Sequence, residues 1–134
     1  MRIISGTARG VGLEVAKGSS SRPFLEMARG GIFNSLGGLV IGARVLDLYA
    51  GSGSLGLEAL SRGADACLFV ERDPLAFAAL LRNIGRCRMG RIARAECAEA
   101  GFFLRGAVGA YGLIFVDPPF SICREWTGGG GSGD

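Results

Sequence analysis

Histidine is absent from the chain, tryptophan occurs once, and the four cysteines Cys67, Cys87, Cys97 and Cys123 show no CxxC spacing. Without imidazoles or paired thiols a zinc site is not expected, so the reading is of a protein with no metal. A disulfide framework is not expected either, and the thiols read as reduced and mostly buried. Long apolar runs are missing too. No stretch approaches the roughly 18 consecutive apolar residues of a membrane span. The opening Met1-Arg2-Ile3-Ile4-Ser5-Gly6 has neither the apolar core nor the cleavage site of a signal peptide. These absences predict a protein that meets no membrane, cytoplasmic or, in a eukaryote, organellar. Glycine, by contrast, is abundant, at 24 of 134 residues. Usual proteins hold about 7%, and the excess raises the entropic cost of folding.

The length suits one domain's worth of core, and 49% apolar residues can fill it. Net charge is only +3, yet residues 1–44 carry Arg2, Arg9, Lys17, Arg22, Arg29 and Arg44 against Glu14 and Glu26. A basic N-terminal segment is what an arm that meets phosphates requires, and it is also compatible with an ordinary solvated surface.

Residues 1–41 are expected to form an appendage. Arg2 to Ser5 and Leu13 to Val15 read as short strands around a glycine-bearing turn, followed by a helix from Pro23 to Leu36. Pro23 suits a first helical turn and Gly37-Gly38 a stop. Phe24, Met27, Ala28, Ile32, Phe33 and Leu36 recur at roughly helical spacing and predict one packed face. Residues 42–126 then alternate strand and helix. The expected order is strand Arg44–Tyr49, helix Ser54–Arg62, strand Ala66–Val70, helix Pro74–Arg86, strand Arg91–Ala95, a short helix at Gly101–Arg105 and strand Gly112–Val116. Continuous apolar runs such as Leu113 to Val116 suit strands covered on both faces, so the fold class is α/β, doubly wound and Rossmann-like. Residues 127–134, rich in glycine, read as a flexible tail.

Gly51-Ser52-Gly53-Ser54-Leu55-Gly56 places GxGxxG directly between a strand and a helix. Glycine at the first two positions lets a ligand lie against the main chain, and at the third lets the helix pack closely. Glu71 ends the next strand, where a carboxylate can accept both hydroxyl protons of a ribose. This spacing fits a nicotinamide dinucleotide or S-adenosyl-L-methionine. Asp47, four positions before Gly51, favours the second, since it would attract a sulfonium and an ammonium but repel a pyrophosphate. Glu99 is either an acceptor for an adenine amine or a solvated loop carboxylate.

Asp117-Pro118-Pro119-Phe120 closes the last strand. An exocyclic amine conjugated to a ring is a poor nucleophile. If the Asp117 carboxylate accepts one N–H and the Pro118 carbonyl another, the lone pair is freed and aimed. Neither proline has an amide hydrogen to compete, and Phe120 supplies a stacking wall. Arg82, Arg86, Arg88, Arg91 and Arg94 form a second basic cluster, readable as a solvated helix and turn or as a phosphate-contacting face.

With these segments in hand the chain resembles the RsmD family, enzymes that use S-adenosyl-L-methionine to methylate the N2 amine of a guanine in small-subunit ribosomal RNA. The likeness runs from Met1 to about Phe120. It is carried by Arg2 to Gly6, Ser21-Arg22-Pro23, Ile32 to Leu36, Val45 to Gly51, Leu55 to Ala64, Val70 to Asp73 and Leu113 to Phe120. It implies cofactor contacts at Asp47, Gly51, Gly53, Glu71 and Glu99, with Tyr49, Ser52 and Arg72 beside them in the same site. It implies target contacts at Asp117, Pro118, Pro119 and Phe120. An RNA-facing arm with Arg2, Arg9, Arg22 and Arg29 follows, with ribosomal RNA or the small ribosomal subunit as partner and a monomeric state. The family runs on for further strands and helices, so the glycine-rich ending reads as a C-terminal truncation that leaves the strand bearing Asp117 at an open sheet edge.

Other readings stay open at this stage. One is a fragment with impaired catalysis that keeps RNA or cofactor binding. Another is a methyltransferase of a different amine, such as DNA adenine or protein glutamine. A nicotinamide-dependent dehydrogenase has the glycine turn but no evident proton donor.

Overall fold

The structure, a computed structural model, describes residues 1–15, 23–106 and 109–118. Arg22, Pro119, Phe120, Cys123 and the 127–134 tail lie outside the described residues. Elements run in the order α1 (Pro23–Leu36), a 3-10 turn at Gly37–Val40, β1 (Arg44–Leu48), α2 (Ser54–Ser61), β2 (Ala66–Glu71), α3 (Pro74–Arg86), β3 (Ala93–Cys97), α4 (Gly101–Leu104) and β4 (Leu113–Val116). All strand pairs are parallel, in the order β3-β2-β1-β4. Among the described residues β4 pairs with β1 alone, which leaves the strand before Asp117 at an edge. No helix among the described residues is long and apolar enough to cross a membrane.

Local chemistry sets the helix limits. Asp73 caps α3 by accepting from the Ala76 amide, and Pro74 fills a first-turn position whose missing N–H costs nothing. At the other end Met89 N–H bonds back to the Ile84 carbonyl while Arg88 turns left-handed at φ 57°. This closing turn uses residues up to Ile92, so β3 begins at Ala93 rather than at Arg91 as the sequence suggested. β1 stops at Leu48 because Tyr49 takes φ 56°, off the extended path. β2 runs one residue further than expected, to Glu71, which pairs with Cys97.

The sheet divides the interior into two layers. On one face Val45, Phe69 and Phe115 pack with Phe33 of α1, Leu57 and Leu60 of α2, and Leu80 and Ile84 of α3. On the other, Leu46, Leu48 and Val70 meet Ala100, with Phe103 and Tyr111 packed around them. Phe69 is wholly buried, a burial that contributes about 1.5–3 kcal/mol.

The arm does not form the two expected strands. A single antiparallel bridge, Arg2 to Gly12, with Ile3 N–H to Val11 C=O and Leu13 N–H to Met1 C=O bonds, holds a turn of glycine-assisted loops. Ile3, Ala8 and Leu13 belong to the same core as the sheet, so the boundary expected near residue 41 does not divide the packing.

The join is made by a buried acid on α2. Glu58, fully buried, accepts from the Ile4 amide at 2.9 Å and the Ser5 amide at 3.1 Å. It also pairs with Arg62 at 2.8 Å and Arg29 at 3.3 Å. The Ser61 hydroxyl adds bonds to Ser5 C=O and from the Ala8 amide. The face of α1 turned inward is therefore Arg29 and Phe33. Met27, 71% exposed, and Ile32, 42% exposed, were expected inside but stand out of the core.

Removing the Glu58 carboxylate strands a buried guanidinium and two amides. Glu58→Ala should lower the unfolding free energy by about 3–5 kcal/mol, read as a reduced urea midpoint at unchanged slope.

Candidate active site

The carboxyl ends of β1, β2 and β4 bring Asp47, Glu71 and Asp117 to one edge of the sheet. Parallel strands deliver this edge by construction, since each crossover helix starts there. Three glycines shape the turn between β1 and α2 in different ways. At Gly53, φ is 88° and a Cβ would lie 2.5 Å from Leu80 Cδ1. At Gly56 a Cβ would lie 2.3 Å from Phe69 Cε1, so only glycine lets α2 sit this close to β2. At Gly51 a Cβ would meet nothing within 4 Å, which leaves that stretch of main chain open.

Asp47 is 1% exposed, and its Oδ2 accepts from the Gly56 amide at 3.0 Å. It was expected near a bound cation, with the family resemblance implying contact. Among the described residues it instead sits beneath the turn, outside the cleft lining, and ties the end of β1 to the start of α2. Burial pushes its carboxyl up to about 7; the Gly56 amide opposes this, and the nearby Asp117 and Glu71 add to it. Glu71 accepts from the Gly51 amide at 2.8 Å through one oxygen and from the Asp73 amide at 2.9 Å through the other. It thus braces the glycine turn from β2.

Sequence reasoning missed Asn83. This buried side chain on α3 donates to the Ser52 carbonyl at 2.9 Å and the Glu14 carbonyl at 2.8 Å, and accepts from the Glu14 amide. It also missed Glu58, whose signal was a charged residue among Leu57, Ala59 and Leu60, all of them buried.

Above the turn opens a cleft of about 550 Å³ lined by Ile32, Tyr49, Gly51, Ser52, Phe115 and Asp117, among others. Asp117 is exposed in it and Pro118 half-buried. A recess of about 30 Å³ adjoins Tyr49 on the other side, between Glu71, Arg72 and Glu99. Glu99, read either as an acceptor for an adenine amine or as a solvated loop carboxylate, pairs with Arg72 at 2.9 Å, both side chains well exposed.

The arm residues separate. Arg2 and Arg9 are exposed. Arg9 sits in the turn fastened by the Thr7 amide to the carbonyl of Ser61, at the end of α2 remote from Gly53. Arg29 does not face solvent at all: it is 3% exposed, donates to the Arg2 carbonyl and pairs with Glu58. Burial draws its guanidinium down, against the pull of Glu58. The reading of Arg29 as an RNA contact is therefore corrected to a structural cation, because the nearest opposite charge lies in the core. Of the thiols, Cys67 and Cys87 are buried and Cys97 is exposed.

A glycine turn braced by two strand-end carboxylates on a doubly wound parallel sheet is the fold of S-adenosylmethionine-dependent methyltransferases. An Escherichia coli structure provisionally described as methyltransferase yhhF matches with a TM-score of 0.77 at 38% identity, covering 90% of this chain and 65% of that one. YlbH of Bacillus subtilis (strain 168), provisionally named an rRNA methyltransferase, is 40% identical over 123 residues, 90% of this chain and 67% of that protein. Ribosomal RNA small subunit methyltransferase D of Escherichia coli (strain K12) is 38% identical over 120 residues, 90% of this chain and 60% of that protein. The chain thus spans between 60% and 67% of the length of these two relatives. The family model described as conserved hypothetical protein 95 matches residues 1–125, and the chain belongs to that family, the RsmD family.

The raised Asp47 carboxyl makes stability depend on pH. Between the ordinary value of 3.8 and about 7, the folded state holds a proton that the unfolded state has lost. Stability from this group is therefore complete below the lower value and falls as pH rises through the upper one. Asp47→Asn keeps an acceptor for Gly56 without the charge. Its stability relative to the wild type should grow from pH 4.5 to pH 8 by on the order of a few kcal/mol, measured by urea unfolding at both pH values.

Proposed function

We propose that this chain carries the cofactor and target-amine sites of an S-adenosylmethionine-dependent methyltransferase acting on the exocyclic N2 amine of a guanine in ribosomal RNA. The observation that carries the reading is the convergence of Asp47, Glu71 and Asp117 beside an open glycine turn. Among the described residues none of the three forms an ion pair. Carboxyls without an ion pair, one of them held protonated up to about pH 7, suit a cationic ligand that favours their charged form, and the Gly51 main chain is bare where such a ligand would lie.

S-adenosyl-L-methionine, when bound, supplies an electrophilic methyl group on a sulfonium. The chain's own residues do the rest. Glu71 holds the Gly51 amide in place and keeps further lone pairs for ribose hydroxyls. Asp47 lends its charge from beneath the turn and fixes where α2 begins. Tyr49, between the cleft and the recess, and Arg72 with Glu99, beside the recess, would be among the residues that hold the cofactor.

Asp117 stands at the cleft surface, where its carboxylate can accept a target N–H, and the Pro118 carbonyl follows it with two lone pairs. Two acceptors on one amine draw the nitrogen out of conjugation and point its lone pair. For Phe120, outside the described residues, the family resemblance implies a stacking partner for a flat base. Ribosomal RNA as substrate rests on the names of the relatives together with the exposed Arg2 on the arm. A guanine must leave its stack before its amine can enter the cleft beside Asp117.

Asp117→Ala should reduce methyl transfer to small-subunit RNA by at least about a hundredfold, with S-adenosylmethionine affinity by calorimetry changed little. Replacing the modified guanine by inosine, which lacks the N2 amine, should abolish transfer by the wild type. Persistent methylation of the inosine RNA would rule out N2 as the acceptor, and undiminished turnover by the alanine variant would rule out Asp117 as its aligning group.

A further inference from the structure

The arginine cluster from 82 to 94 divides in the structure, and only part of it is accounted for. Arg82 and Arg86 turn toward the arm and pair with Glu14, at 2.5 Å and 3.6 Å. Arg91 and Arg94 lie elsewhere. With Arg44, Glu96, Phe103 and Tyr111 they line a cavity of about 320 Å³ on the α4 side of the sheet. Arg44 begins β1, Arg91 and Arg94 bracket the start of β3, and Tyr111 precedes β4. The cavity therefore opens at the edge opposite Asp117, roughly 15 Å away along strands of this length.

Three observations give it a chemistry. Three guanidiniums face one carboxylate, and among the described residues Arg44, Arg91 and Arg94 make no ion pair. Arg29, Arg62, Arg72, Arg82 and Arg86 all do. Of the described arginines that make no ion pair, Arg2, Arg9, Arg88 and Arg105 lie outside this cavity, and Arg44, Arg91 and Arg94 share its lining. The wall is aromatic: Phe103 and Tyr111 are half-buried in it, and the Arg44 guanidinium carbon stands 5.6 Å from the Tyr111 ring centroid. Finally, the volume lies at the lower end of the range that small-molecule sites occupy. Guanidinium forks match phosphate oxygens in pairs, and aromatic faces accept nucleobases by stacking. A bare carboxylate metabolite would leave the ring surface not covered by the core or by Arg44 unused, and an apolar ligand would leave the charges unmet.

We infer that this cavity is a nucleotide-binding site separate from the methyl-transfer cleft, with Arg91 and Arg94 on the phosphate and Phe103 and Tyr111 against the base. The nucleotide is either free or one residue of a single RNA strand; the recognition chemistry is the same. The site is independent of the proposed reaction, since none of its residues borders the cleft.

Binding of fluorescently labelled GMP and of a labelled single-stranded RNA hexamer, followed by anisotropy at one fixed salt concentration with saturating S-adenosylmethionine, tests it without reference to methyl transfer. Arg91→Ala with Arg94→Ala should weaken binding roughly tenfold or more. Arg88→Ala with Arg105→Ala removes equal charge from exposed positions outside the cavity and should change it less than about twofold. Tyr111→Leu should weaken GMP several-fold while pyrophosphate binding persists. Binding of both probes assigns the site to nucleotides generally, and binding of the hexamer alone assigns it to a strand. Equal losses in the two double variants, competition by S-adenosylmethionine, or no binding of either probe would overturn the proposal. Unchanged circular dichroism and melting of each variant separate lost binding from lost folding.

Discussion

The carboxylate of Asp47 sits at the top of β1 with the Gly56 amide as its hydrogen-bond donor and two further carboxylates for neighbours. Much of the site hangs on this arrangement. The bond fixes where α2 starts, and with it the path of the glycine turn; the turn places Gly51 under Glu71 and opens its main chain toward the cleft. The same carboxylate, out of reach of water and without a counter-charge among the described residues, keeps the edge electrostatically incomplete. In a medium of low dielectric that incompleteness is expensive, and it is what raises the Asp47 carboxyl to about 7.

Glu58, eleven positions further along the chain, shows the opposite outcome for the same kind of group. It too is shut in, yet two guanidiniums and two backbone amides surround it. Its charge is answered within the protein, and its work is to clamp the arm and α1 onto α2. The contrast sorts structure from function more sharply than burial alone. A buried acid whose partners are complete marks a joint, whereas one whose partners are missing marks a place where something arrives.

The sequence made the central elements readable because their signals are local. Pro23 in a first turn and the Gly37-Gly38 stop gave α1 to the residue, the Pro74–Arg86 reading matched α3, and apolar runs gave the parallel strands. The glycine turn and the two strand-end acids were equally plain. What failed depended on partners distant in the chain. Arg29 reads as a surface cation on a helix until Glu58, 29 residues later, is folded against it. The inward face of α1 went wrong for the same reason: a charged residue took a core position that an apolar count would have assigned to Ile32. β3 slipped by two residues because the turn after α3 is closed by a left-handed Arg88, an unusual conformation for a residue with a side chain. The two arm strands were read from apolar residues that do enter the core, but through turns rather than a ladder.

Asn83 has one amide group and gives it to two masters, the Glu14 backbone in the arm and the Ser52 carbonyl in the glycine turn. Neither backbone can shift far without breaking a bond that also orients the other. Such sharing is a thermodynamic bargain with fixed terms: if gripping the arm stiffens the turn, then filling the turn must stiffen the arm by the same free energy. The arm and the glycine turn are therefore mechanically one piece, riveted by a single buried side chain.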